Sequence, residues 1–148
     1  MSSKGKEVSP EALLEQLRNA KTLDDVFDLF ERLWSLMVGI ILKADVDANT
    51  KANLLHDVGL LSGRIYLLLD AYQVAAEHDF SYRYELHDEI EDDLKKLINV
   101  YAYLKKGGSL KEARDAINNV SVSAENRVRD FMNYLARMIE DLSPRPYY

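Results

Sequence analysis

The sequence predicts an all-α fold, a helical bundle of about four long antiparallel helices plus two short helices. Three observations support this prediction. Apolar residues recur every three to four positions along most of the chain, which is the period of a helix buried on one side. Ser, Thr and Asp stand just before these stretches, where side-chain oxygens cap helix ends. No stretch alternates apolar and polar residues between turn signals, as a β-strand does.

The first two helices are marked by their caps. Ser9 followed by Pro10 is typical of a helix start, and this helix is predicted to be short, ending near Lys21. The segment 22–25 resembles a capping box and begins a second helix that runs to about Ala44. On that helix, Leu36 and Ile40 add a second apolar face. A helix that is apolar all round is central in its fold or is covered by another subunit.

The third helix is the longest that the sequence predicts. Asp47 or Asn49 caps it, and it runs to about Asp79. Its apolar stripe is widened by Leu60, Leu67 and Val74. Gly59 and Gly63 stand four apart on one side, and each lowers helix stability by about 1 kcal/mol relative to Ala. We therefore expect a neighbouring helix to approach closely at the two glycines.

Three further helices are predicted in the second half of the chain. Ser81 caps a fourth helix, which ends at the pair of glycines at 107–108. Ser109 begins a short fifth helix through a capping box that includes Glu112. Ser121 or Ser123 begins the last helix, which Ser143-Pro144 stops. The sequence thus predicts one domain over 9–143, with a flexible segment at 1–8 and a tail at 144–148.

Composition excludes several classes of function. The chain has no Cys, so disulfides, thiolate nucleophiles, Cys-based zinc sites and iron–sulfur clusters are ruled out. A net charge of −6 disfavours nucleic acid as a partner. The most apolar stretch, 33–42, is too short to span a bilayer, and no signal peptide is evident, so we expect a cytoplasmic protein that does not bind membranes. Nucleotide-binding loops and the hydrolase nucleophile elbow are absent from the sequence.

An acidic run is the first candidate site. On one face of the fourth helix the spacing places Glu85, Asp88, Glu89 and Asp92, and a second acidic pair follows at Glu112 and Asp115. Two carboxylates one helical turn apart can hold a hard cation such as Mg²⁺. The alternative interpretation is a solvated helix face, because Glu91 and Asp92 each precede a lysine by four residues.

The two acidic pairs resemble the pattern of MazG-like all-α nucleoside triphosphate pyrophosphatases. Such enzymes hold Mg²⁺ with a Glu-rich pair and a later Glu-x-x-Asp. The resemblance covers about a quarter of the chain, and it implies Mg²⁺-dependent nucleotide hydrolysis with Mg²⁺ as the cofactor. The first pair departs from the pattern, since Glu89-x-x-Asp92 stands where Glu-x-x-Glu is expected. Gly107-Gly108 also interrupts the chain before the second pair.

The three histidines, His56, His78 and His87, give no recognised metal motif, because no Glu-x-x-His occurs in the chain. We interpret them as surface or boundary residues. The segment Arg83 to His87 is the nearest match to the Arg and His pair of HEPN-type ribonucleases, which are also helical bundles. The acidic residues around it would repel an RNA phosphate.

The sequence favours a non-enzymatic protein that acts through protein–protein association. Excess apolar surface on the second and third helices points to self-association, so the expected partner is a second copy or another protein, with no cofactor. The chain is rich in tyrosine, with nine residues, and exposed tyrosines favour protein contacts. The expected interface residues are Leu36, Ile40, Gly59, Gly63, Tyr82, Tyr84 and Tyr103. A third possibility is a small acidic regulator that docks on a basic partner.

Overall fold

The structure, a computed structural model that describes residues 8–142, confirms the all-α helical bundle. Over these residues no strand is present. The helices are α1 Pro10–Asn19, α2 Leu23–Lys43, α3 Ala48–Glu77, α4 Arg83–Lys105 and α5 Leu110–Leu142. None of the helices in this part of the chain is long and apolar enough to cross a membrane. The expected stop at Ser143-Pro144 and the tail at 144–148 lie outside the described residues.

The first three helices begin where side-chain caps were predicted. The Ser9 hydroxyl accepts a hydrogen bond of 3.1 Å from the Ala12 N–H at the start of α1. Thr22 and Asp25 form a reciprocal capping box before α2. The Asp47 carboxylate accepts the Thr50 N–H at 3.3 Å before α3. Each cap satisfies a backbone N–H that the helix itself leaves without a partner.

The start of α4 differs from the prediction, because Ser81 does not cap it. The residue before the helix is Tyr82, and its side chain makes no cap hydrogen bond. The chain leaves α3 through Asp79, which takes a left-handed φ of 59°, and the Phe80 N–H then bonds the Ala75 carbonyl at 2.9 Å. This closing bond is typical of a helix C-terminus, and it turns the chain within a few residues.

The predicted fifth and sixth helices are one helix, α5, so the expected break at Ser121 or Ser123 is wrong. Ser121 is 1% exposed and its hydroxyl accepts a 2.8 Å hydrogen bond from Arg64. Ser123 donates to Asp93 at 3.2 Å. Because both hydroxyls bond partners on other helices, they do not cap the local backbone, and the helix continues.

Tyr103 changes the capping box at the start of α5. The Glu112 N–H donates to the Ser109 hydroxyl at 3.4 Å, as a capping box requires. The return contact runs through Tyr103, whose hydroxyl accepts the Ser109 N–H at 3.1 Å and donates to the Glu112 carboxylate. The tyrosine therefore ties the end of α4 to the beginning of α5.

Successive long helices are antiparallel, whereas α3 and α5 run parallel. Asp57 of α3 contacts Arg114 of α5. Seven residues further along both helices, Arg64 contacts Ser121. A pairing in which both numbers rise together requires parallel helices. The short α1 lies against α4, and both Tyr101 and Lys105 donate hydrogen bonds to the Val8 carbonyl before it.

The core is built from the predicted apolar stripes. Leu33, Met37 and Ile41 of α2 are fully buried, as are Leu61 and Leu68 of α3. Burial of one such side chain stabilises the fold by roughly 1.5–3 kcal/mol. The second apolar face of α2 is also used inside the molecule, because Leu36 and Ile40 are half-buried and pack against the core.

Candidate functional site

The structure does not bring the predicted acidic pairs together. Glu112 precedes Arg127 on α5 by fifteen residues, about 22 Å of helix, and Arg127 is the residue that faces Glu89 and Asp92. Glu85, Asp88 and Asp115 are exposed. Within residues 8–142, no group of three or more His, Asp or Glu side chains is arranged to hold a metal ion.

Two acidic residues of α4, Glu89 and Asp92, contact an arginine of α5. Asp92 pairs with Arg127 at 3.0 Å and with Lys96 at 3.0 Å. Hydrogen bonding and charge from Lys96 and Arg127 together outweigh burial and hold the pKa of Asp92 below its usual value. Arg127 also lies 3.8 Å from Glu89. These contacts hold α5 against α4 and leave the ionised Asp92 carboxylate paired with two cations.

Asp93 is the buried acid that the sequence interpretation did not single out. It is 0% exposed, and its Oδ1 accepts a hydrogen bond from Ser123. Its Oδ2 lies 3.4 Å from the Arg127 Nε, yet within the described residues it has no hydrogen-bond partner. Burial raises its pKa to about 6, against the opposing effect of Arg127. A signal was available, because Asp93 stands three residues after Ile90 and four before Leu97, at inward-facing spacing.

A second polar contact set joins α3 to α5. Asp57 accepts from Arg114 at 2.5 Å and from Asn118 at 3.3 Å. Burial favours the neutral carboxyl, but the hydrogen bonds from Arg114, His56 and Asn118 prevail and lower the pKa of Asp57. One heptad along, Arg64 donates to Ser121 at 2.8 Å and to Glu125 at 3.0 Å. These contacts position the two parallel helices side by side.

His78, His87 and Arg83 each make separate local contacts. His78 caps the end of α3 and stacks on Phe80, with ring centroids 5.8 Å apart. His87 Nδ1 lies 3.3 Å from Asp88 on the surface. Arg83 donates to the Phe80 carbonyl at 3.0 Å and to the Tyr84 hydroxyl at 2.8 Å. The arginine therefore supports the turn between α3 and α4.

Two of the three expected interface tyrosines are occupied within the chain. Tyr82 packs against Phe131 and Tyr134, with ring centroids 5.6 Å and 4.8 Å away. Tyr103 is the residue that links Ser109 to Glu112. Tyr84 is 64% exposed, but Arg83 covers one face of its ring at 4.5 Å.

A groove of about 530 Å³ lies between the second half of α4 and the first half of α5. Its floor is formed by small apolar residues, among them Val100, Ala113 and Ala116. Its rim carries Lys96, which pairs with Asp92, and Tyr103, which bonds Glu112. The groove has the size of a small-molecule pocket, but its charged rim groups are already paired within the chain.

The two glycines of α3 do not meet a neighbouring helix. A Cβ atom added at Gly59 or Gly63 would have no atom within 4 Å. Both residues are exposed. The expectation of close helix packing at this point is therefore wrong within a single copy of the chain, because α5 packs on another side of α3, against Asp57 and Arg64.

An exposed apolar strip accompanies these glycines along α3. Leu60 is 44% exposed, Leu67 is 55% exposed and Val74 is 39% exposed, each one heptad after the last. Leu60, Gly63 and Leu67 line a shallow groove of about 390 Å³ with Arg64, Glu125 and Val128. We call the surface of Gly59, Leu60, Gly63, Leu67 and Val74 the α3 face.

Residues of the two neighbouring helices extend this surface. Met132, one turn after Val128 on α5, is 55% exposed. On α2, Trp34 is 37% exposed, and the pairings of Phe27 with Tyr66 and of Leu42 with Lys51 place it level with Gly59. Exposed apolar side chains that are grouped on one surface commonly mark an interaction site.

Neither the family models, nor the curated proteins, nor the solved structures to which the chain was compared gave a match.

Proposed function

We propose that this protein acts by protein–protein association, and that its α3 face binds a second copy of the chain. The observation that supports this most strongly is the combination of exposed leucines with exposed glycines. Leu60 and Leu67 expose apolar surface to water. A partner that covered this surface would gain roughly 25 cal/mol of binding free energy for each Å² buried. Gly59 and Gly63 leave a flat strip beside them, free of other atoms, where a helix can approach closely.

The charges at the edge of the α3 face favour a second copy over a strongly charged partner. Arg64 and Glu125 form an ion pair of 3.0 Å, and Arg129 lies 3.8 Å from the same glutamate. Both signs of charge are therefore present along one edge. A surface that carries both signs can complement itself when two copies meet about a two-fold axis.

The test places an aspartate in the middle of the α3 face. We expect wild-type protein to elute in size-exclusion chromatography with a light-scattering mass of twice 17.0 kDa. Leu67→Asp should weaken association by at least tenfold, because a buried unpaired carboxylate opposes the contact by several kcal/mol. Leu67 is 55% exposed in the single copy, so we expect the variant to keep its helical circular dichroism spectrum and its cooperative melt.

Tyr84→Asp is the matched control. Tyr84 is also exposed, at 64%, but it lies on α4 and is not one of the five residues of the α3 face. The control introduces the same charge and should leave the mass unchanged. A monomeric wild type at high concentration, or equal effects of the two substitutions, would contradict the proposal.

A further inference from the structure

The exposed residues of α3 have nearly the same spacing in both directions from the middle of the helix. His56, Leu60, Gly63, Leu67, Asp70 and Val74 follow one another at alternating spacings of four and three residues. This is the spacing of a seam between two helices. All six residues are exposed in the single copy, so the seam has no partner within residues 8–142.

Gly63 lies at the centre of this seam. Leu60 and Leu67 stand three and four residues to either side of it, and His56 and Asp70 each stand seven residues away. If two α3 helices cross antiparallel at Gly63, leucine meets leucine, and the imidazole of one copy meets the carboxylate of the other. In a parallel arrangement Asp70 would meet Asp70, and the two carboxylates would repel each other.

The two polar residues are available for this contact. The His56 side chain is 78% exposed, and its Nδ1 lies 3.3 Å from the Asp57 carboxylate, so its Nε2 points elsewhere. Asp70 is exposed and, in the part of the chain that the structure describes, has no hydrogen bond or ion pair. With Nδ1–H donating to Asp57, Nε2 can donate to a second carboxylate when the ring is protonated, and the pair is then an ion pair.

We propose that a second copy packs antiparallel on α3 across a two-fold axis near Gly63, with His56 of each copy against Asp70 of the other. This inference rests on the proposed self-association and adds the register and the direction of the helices. A two-fold axis repeats every contact, so the interface contains two His56–Asp70 pairs.

Disulfide trapping tests the register directly, because the natural chain contains no Cys. The variants His56→Cys and Asp70→Cys are purified separately, then oxidised alone and as an equimolar mixture. A disulfide requires Cβ atoms about 3.5–4.5 Å apart. We expect a covalent dimer only in the mixture, since like positions lie about 20 Å apart along an antiparallel pair. Masses measured by light scattering before oxidation report whether each variant still associates.

The outcomes separate this inference from the proposed function. Covalent dimers of either variant alone would show a parallel arrangement and overturn the register. Absence of cross-linking in all three samples, together with a dimeric mass, would also overturn the register but leave self-association in place. A monomeric mass for the wild type would remove both. Replacing Asp70 with Lys gives a second measurement: it should raise the dissociation constant, and His56→Asp in the same chain should restore most of the loss.

Discussion

At the scale of single residues, the buried carboxyl of Asp93 lies where α4 meets α5. Its Oδ1 accepts from Ser123, and Arg127 lies beside its Oδ2 at 3.4 Å without making a hydrogen bond. Glu89 is in a similar position, because burial raises its pKa and its Oε1 is also buried without a hydrogen-bond partner in the described chain. One guanidinium thus serves three carboxylates, Glu89, Asp92 and Asp93, and two of them are left incompletely bonded.

This environment predicts how stability depends on pH. Asp93 has a pKa of about 6 when folded and near 3.9 when unfolded, so the folded state holds its proton more tightly. The protonated Asp93 side chain therefore makes its full contribution to the free energy of unfolding below about pH 4. That contribution is lost as the pH rises through about 6. The change amounts to roughly 2–3 kcal/mol, since each pKa unit corresponds to about 1.4 kcal/mol.

Asp93→Asn should remove that dependence. The amide keeps the acceptor for Ser123 and carries no charge, so we expect the variant to be more stable than wild type at pH 7, by roughly 1–3 kcal/mol, and similar at pH 4. Urea unfolding at both pH values measures the difference. Asp88→Asn is the control, because Asp88 is exposed on the same helix. An Asp93→Asn variant that is less stable at pH 7, or one with an unchanged pH dependence, would contradict this interpretation.

At the scale of helices, the sequence predicted what local chemistry determines and missed what distant residues determine. The caps at Ser9, Thr22 and Asp47 act within three residues along the chain, so they could be predicted. Ser121 and Ser123 have the same chemistry as a cap, but their hydroxyls bond Arg64 and Asp93 on other helices. Nothing in the local sequence shows those partners, so the sequence predicts two helices where the structure has the single helix α5.

Two glycines should respond in opposite ways to the same substitution. Gly107 ends α4 with a left-handed φ of 83°, and Gly107→Ala should lower stability by about 1 kcal/mol. Gly39 lies inside α2, where an added Cβ meets no atom within 4 Å, and Gly39→Ala should raise stability by about 0.5–1 kcal/mol. Thermal unfolding of the two variants measures both. A loss of stability at Gly39 would show that it contacts something outside the single chain.

At the scale of the whole molecule, the single chain covers some of the apolar residues that the sequence places at an interface and leaves others exposed. Leu36 and Ile40 were expected at an interface, and they instead pack against the core of the single copy. Gly59 and Gly63 were expected to accept another helix, yet both are exposed. The number of apolar faces on a helix follows from the sequence. Which face the rest of the chain covers depends on the order of the helices in space, and periodicity does not contain that order.

If the α3 face binds a second copy, the substitution Gly63→Ala should change the stability of the fold and the strength of association in opposite directions. Gly63→Ala adds a methyl group that meets no atom in the single copy, so we expect the free energy of unfolding of the monomer to rise by about 0.5–1 kcal/mol. The same methyl group would hold two crossing helices apart, so the dissociation constant should rise. Urea unfolding at low concentration and light scattering at high concentration measure the two effects. A variant that associates as well as wild type would show that no helix crosses at Gly63.

Sedimentation equilibrium of the wild-type protein over a hundredfold range of concentration tests self-association most directly. If two copies associate through α3, the mass rises with concentration from 17.0 kDa toward twice that value and fits a monomer–dimer equilibrium. A mass that stays at 17.0 kDa throughout, or one that grows without limit, would contradict a closed pair of chains joined through α3.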